Sequence, residues 1–101
     1  MRHVRFDVAL LAVDRQPIQL KAAYLLVAEQ EGVEALQWEC LAYALDVEPL
    51  AEGRCTLTIT TLDGRVLSGE AIVVRSVEGA HVLRGDGPIE GVTDADLAGG
   101  R

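Results

Sequence analysis

The chain has little of what most small domains use for chemistry. Its 101 residues include two cysteines (Cys40, Cys55), two histidines (His3, His81), one lysine (Lys21) and four aromatics (Phe6, Tyr24, Trp38, Tyr43). The cysteine separation matches no zinc-ligand pattern, so both thiols are expected as small buried hydrophobes rather than a metal, disulfide or redox pair. Basic residues do not cluster: only Arg2, His3 and Arg5 lie together, Asp7 follows them, and the formal net charge is −7. A nucleic-acid or anionic-membrane surface is disfavoured on that balance. Long hydrophobic runs are also missing. Asp7 and Asp14 interrupt Val8–Val13, leaving neither a signal core nor a membrane span, so a reduced, cytoplasmic protein is expected. Eight arginines against one lysine fit a GC-rich bacterial coding sequence.

Catalytic signatures are missing as well. No G-x-S-x-G, Walker loop, dinucleotide fingerprint or metal-binding histidine pair occurs. Gly85-Asp-Gly-Pro-Ile-Glu-Gly91 is glycine-rich but has no helix behind it to hold a phosphate, and reads as a turn. An enzyme would have to use His81 with Asp86 or Glu34, and no nucleophile accompanies them. Asp86, Glu90, Asp94 and Asp96 lack the order of a calcium loop. They read as a solvated acidic tail, which gives one domain over residues 1–90 and a flexible tail over 91–101. No cofactor and no metal are expected. A nucleotide-binding barrel of the PilZ type needs an arginine-rich switch and an Asp/Asn-x-Ser-x-x-Gly motif; Arg2-His-Val-Arg5 has the wrong spacing and the second motif is missing.

What is present is an apolar half of the composition and one strongly patterned hairpin, Cys55 to Val74, folded about Asp63-Gly64. A two-residue turn there would set Leu57 opposite Glu70 and Ile59 opposite Ser68. One residue of slip moves an apolar set to the other face of a sheet. A three-residue loop, Leu62-Asp63-Gly64, instead opposes Thr61 to Arg65, Ile59 to Leu67, Leu57 to Gly69 and Cys55 to Ala71. That loop needs a left-handed glycine at Gly64.

The chain also resembles itself. A shift of 47 residues matches Leu20/Leu67, Val27/Val74, Glu31/Glu78, Gly32/Gly79 and Leu36/Leu83. Both copies read strand, Asp turn, long strand, Glu-Gly turn, strand, which suggests a duplicated three-stranded unit. Strands are expected at about 3–13, 17–28, 33–46, 53–61, 65–75 and 79–85. Residues 33–46 are also rich in helix formers, with Val33, Leu36, Cys40, Ala44 and Val47 on a helical stripe, so an α+β fold with a helix there is the alternative. The fold class is all-β: an antiparallel six-stranded meander closed as a small barrel or folded as a two-layer sandwich.

One face collects Phe6, Val8, Leu10, Leu20, Ala22, Tyr24, Leu26, Leu57, Ile59, Leu67, Ala71 and Val73 as core. Leu25, Val27, Leu41, Tyr43, Ile72 and Val74 then fall on sides that should be wet, and a strand apolar on both faces should have both covered. The leading expectation is a non-enzymatic interaction module, a homodimer assembled through those six residues. A small apolar ligand held near Trp38, Tyr24 and Phe6 is the alternative, and an enzyme built on His81 the third.

Overall fold

The computed structural model describes residues 2–99. Seven strands and one helix follow in order: β1 Arg2–Val13, β2 Gln16–Ile18, β3 Leu20–Glu29, β4 Gln37–Ala44, β5 Gly53–Thr61, β6 Val66–Val77, β7 Ala80–Glu90 and α1 Asp94–Ala98. The hydrogen-bonded order is β2-β1-β3-β4-β7-β6-β5, and β1 pairs with β5 to close the sheet. Six strands therefore make a closed antiparallel barrel, with β2 as an extra strand on β1. Two meanders compose it, β1-β3-β4 and β5-β6-β7, joined through β4–β7 and β1–β5.

Turn chemistry explains the meanders. The Asp63-Gly64 hairpin has the register its side chains demand, Ile59 opposite Leu67, Leu57 opposite Gly69 and Cys55 opposite Ala71. Gly64 has φ 91°, and its N–H donates to the Thr61 carbonyl at 3.0 Å. Asp14-Arg15 and Glu78-Gly79 are two-residue turns, all four residues at positive φ, between the pairs Val13/Gln16 and Val77/Ala80. Turns of that hand match the twist of the strands they join. At Glu31-Gly32 a turn closes from Val33 N–H to the Gln30 carbonyl, and the chain stays irregular to Leu36. The alternative helix at 33–46 does not form. Residues 37–44 alternate between inside and outside as β4, and β4 pairs with a strand on either edge.

Bulges correct the expected core face in two strands. Val8 and Leu10 of β1 advance two residues while β5 advances one, and Leu20 and Ala22 of β3 do the same against β4. Each extra residue reverses the alternation that follows it. Leu10 is consequently 65% exposed, while Leu11 and Val13 are buried. In β3, Ala22, Tyr24 and Leu26 point outward, and Ala23, Leu25 and Val27 fill the interior. The expected turn at 85–91 is a further correction. β7 runs through it to Glu90, bulging at Asp86–Pro88, where one residue of β6, Glu70, faces these three of β7 between the pairs Gly69/Ile89 and Ala71/Gly85.

The interior is filled from all six barrel strands. Trp38 is buried and crosses toward β6 and β7, where Gly69 and Gly85 leave room. A Cβ on Gly69 would lie 2.8 Å from the indole, and one on Gly85 would lie closer still. The indole Nε1 donates to the Gly87 carbonyl at 2.9 Å, so the Asp86–Pro88 bulge is also the tryptophan's acceptor.

Residues 94–98 form a docked helix where a solvated tail was expected. Thr93 caps α1: its hydroxyl accepts from Asp96 N–H, and the Asp96 carboxylate accepts from Thr93 N–H. Leu97 is buried in the common core, α1 packs on β1, and Arg65 holds the Asp96 carboxylate at 2.6 and 2.8 Å. Arg2 reaches both Glu29 and Asp94. The acidic residues of this segment serve as caps and ion-pair partners.

Candidate functional site

Closing the sheet gives every strand an outer side, and the outer sides differ in chemistry. On the β5–β6 hairpin the outer pairs are Thr56/Glu70, Thr58/Ser68 and Thr60/Val66, polar positions apart from Val66, as water requires. Across β3, β4 and β7 the outer rows read Tyr24-Leu41-Val82 and Ala22-Tyr43-Ala80. On β6 these rows meet Arg75 beside Val82 and Val77 beside Ala80; Ile72, paired with Arg84, and Val74 add apolar surface next to them, 40% and 48% exposed, and Tyr43 is 46% exposed. At the margin of this field Arg5 lies over the Tyr24 ring, 4.1 Å from the centroid, and bonds Asp7 at 3.1 Å.

Four of the six interface residues read from the sequence lie on this outer field: Leu41, Tyr43, Ile72 and Val74. Leu25 and Val27 do not. They are 0% and 1% exposed inside the barrel, because the bulge at Lys21 reverses β3, and Tyr24 and Leu26 take their place outside. The bulge had no sequence signal beyond the exposed polarity of Lys21, since both parities of β3 are apolar.

The three proposed ligand-binding residues are not brought together. Trp38 is in the core, Tyr24 is outside under Arg5, and Phe6 is half-buried with the Arg65 guanidinium 5.3 Å from its ring. A cleft of about 850 Å³ lies elsewhere, where the first residues of β1 and β4 and the last residues of β3 adjoin the bulged part of β7. Trp38 contributes to its wall with Leu26, Ala28, Leu36 and Pro88, Arg5, Glu39 and Arg84 bring charge to it, and His3 lines it as well.

His81 faces the interior and is 3% exposed. Its Nδ1 lies 2.7 Å from Ser76 Oγ, which also accepts from Leu50 N–H at 2.8 Å. Burial pushes the His81 pKa down, so the ring is neutral at pH 7. Neither carboxylate paired with His81 in the sequence reading is hydrogen-bonded to it. Glu34 is exposed in the loop before β4. Asp86 Oδ2 meets Arg54 at 2.5 Å, off the direction a hydrogen bond needs. The partner of His81 is Ser76 instead. This pair ties the segment before β5 across the barrel end.

Cys40 and Cys55 are free, buried thiols. Burial pushes the Cys40 pKa up to about 12, and a protonated interior thiol is a poor nucleophile. No group of metal-ligating side chains occurs among the described residues, and no helix there is long and apolar enough to cross a membrane. No family model, curated protein or solved structure matches the chain.

Proposed function

We propose that the protein is a non-enzymatic interaction module that self-associates through the outer β3–β4–β7–β6 face. The observation that carries the reading is the row Tyr24-Leu41-Val82 with Tyr43, Ile72 and Val74 around it, apolar on the water side of a closed barrel. The threonine-lined outer face of β5 provides the contrast within the same molecule. Apolar fields of this kind mark contact surfaces.

A second copy is the partner that the charges favour. Each chain carries a net charge of −7, yet the field is bordered by Arg5, Arg75 and Arg84 against Asp7 and Glu39, so the patch carries both signs. A two-fold contact sets the same patch against itself and needs such self-complementarity.

Sedimentation equilibrium at micromolar concentration tests the reading. The native chain is expected as a dimer, and Leu41→Lys with Tyr43→Lys as a monomer with an unchanged far-ultraviolet spectrum. Thr58→Lys, on the polar face, should leave the dimer intact. A clean native monomer, or a dimer indifferent to the first pair of substitutions, removes the proposal.

A further inference from the structure

We infer that the cleft beside the β1, β3 and β4 ends binds a small amphipathic carboxylate, with Arg84 holding the carboxylate and Leu26, Ala28, Leu36 and Pro88 taking the apolar body. Its volume of about 850 Å³ falls within the range of roughly 300–1,000 Å³ typical of small-molecule sites, which are mostly apolar with a few placed polar groups.

Charge selects the class of ligand. The chain has 16 acidic residues against nine lysines and arginines, but the cleft gathers Arg5 and Arg84 against Glu39 alone. Arg5 is committed, bonded to Asp7 and stacked on Tyr24. Arg84 is different. It sits across from Glu39 on β4 and Ile72 on β6, and among the described residues it makes neither an ion pair nor a hydrogen bond. A guanidinium with its donors unspent, at the margin of an apolar cleft, is suited to bidentate capture of a carboxylate. Glu39 beside it disfavours a dianion.

The site also has fixed walls. Trp38 is anchored by its bond to Gly87 and backed by Gly69 and Gly85, and the cleft is built mainly from strand positions rather than a mobile tip. A ligand site on strands needs less ordering on binding than one on loops.

Titration calorimetry with decanoate and with decanol, combined with backbone amide shift mapping, tests the inference. Decanoate should bind at least ten-fold tighter than decanol, with shifts at residues 26–28, 35–39 and 84–88. Arg84→Gln should abolish the difference while leaving decanol unaffected, and Arg75→Gln, outside the cleft, should preserve it. Leu26→Ser should weaken both ligands. The Leu41→Lys, Tyr43→Lys chain should bind decanoate like the native protein, which separates this site from self-association. Equal affinity for the two ligands, no binding of either at millimolar concentration, shifts centred on Leu41 and Val82, or an unaltered preference in Arg84→Gln would each overturn it.

Discussion

Trp38 fits inside a narrow barrel because two of its neighbours have no side chain. Gly69 and Gly85 both face inward, and the indole occupies the space that their Cβ atoms would fill. Gly85→Ala should therefore destabilise the fold by about 1–3 kcal/mol, the usual cost of overpacking a close-packed core. The same substitution beside Trp38→Phe should cost less, because a smaller ring recedes from the new methyl. Urea melts of the two single variants and the double variant measure this coupling. Additive losses would mean that the indole does not set the requirement for glycine. A second residue-scale prediction concerns His81. Its folded pKa is depressed by burial, so as pH falls through about 6.5, the ordinary value for histidine, the unfolded chain takes up a proton that the folded chain refuses. The His81 contribution is thus complete above that pH and is lost as pH falls from there toward the folded value. His81→Gln, which can still bond Ser76, should be less stable than native at pH 7.5 but should lose less stability between pH 7 and 5. A parallel loss in both proteins would assign the acid sensitivity to other groups.

At the scale of elements, α1 is too short to be stable alone and depends on what it docks against. Leu97 supplies burial, Thr93 the cap, and Arg65 a charged anchor that reaches from the end of the β5–β6 turn. Leu97→Ala should cost about 2 kcal/mol, the lower end for a buried leucine, and Arg65→Gln about 1 kcal/mol, since the ion pair is partly open to water. Chemical denaturation at constant m-value reads both, and unchanged midpoints would mean that the helix is not bound in solution. The Arg65 guanidinium holds the Asp96 carboxyl well below its usual range. That contribution is present above about pH 4 and disappears as acid titrates the pair. The elements also show where sequence is informative. The Asp63-Gly64 hairpin was legible to the residue because its register depends only on which side chains alternate and where glycine permits positive φ. The end of β7 was not legible. Gly85, Gly87, Pro88 and Gly91 suit a turn by local rules, and only pairing with β6 keeps Glu90 in a strand. The acidic residues after Gly91 read as a tail because their arginine partners, Arg2 and Arg65, lie far away in sequence.

At the scale of the whole molecule, closure decides how the protein meets others. A closed barrel leaves its six strands without the long free edges through which sheets usually associate, the three-residue β2 being the only edge strand among the described residues. Association has to use a face, and of the outer faces the one on β3, β4, β7 and β6 is apolar. The cleft adjoins that face and shares its charged margin, Arg5, Glu39 and Arg84, but not the apolar row Tyr24-Leu41-Val82, so substitutions in that row separate the dimer from the carboxylate site. By itself the sequence determined the strand content, the hairpin register, the left-handed Gly64 and the net acidic charge. These depend on period-two alternation, turn chemistry and charge, all properties of neighbouring residues. Only the tertiary structure decided which side of β3 is inside. Both parities of that strand are apolar, and the bulge at Lys21 that chooses between them is set by pairing with β4 in a sheet that must also close through β1 and β5. The same long-range constraint buried Leu25 and Val27, put Tyr24 and Leu26 in their place, and gathered Arg84, Leu26 and Leu36 around one cleft.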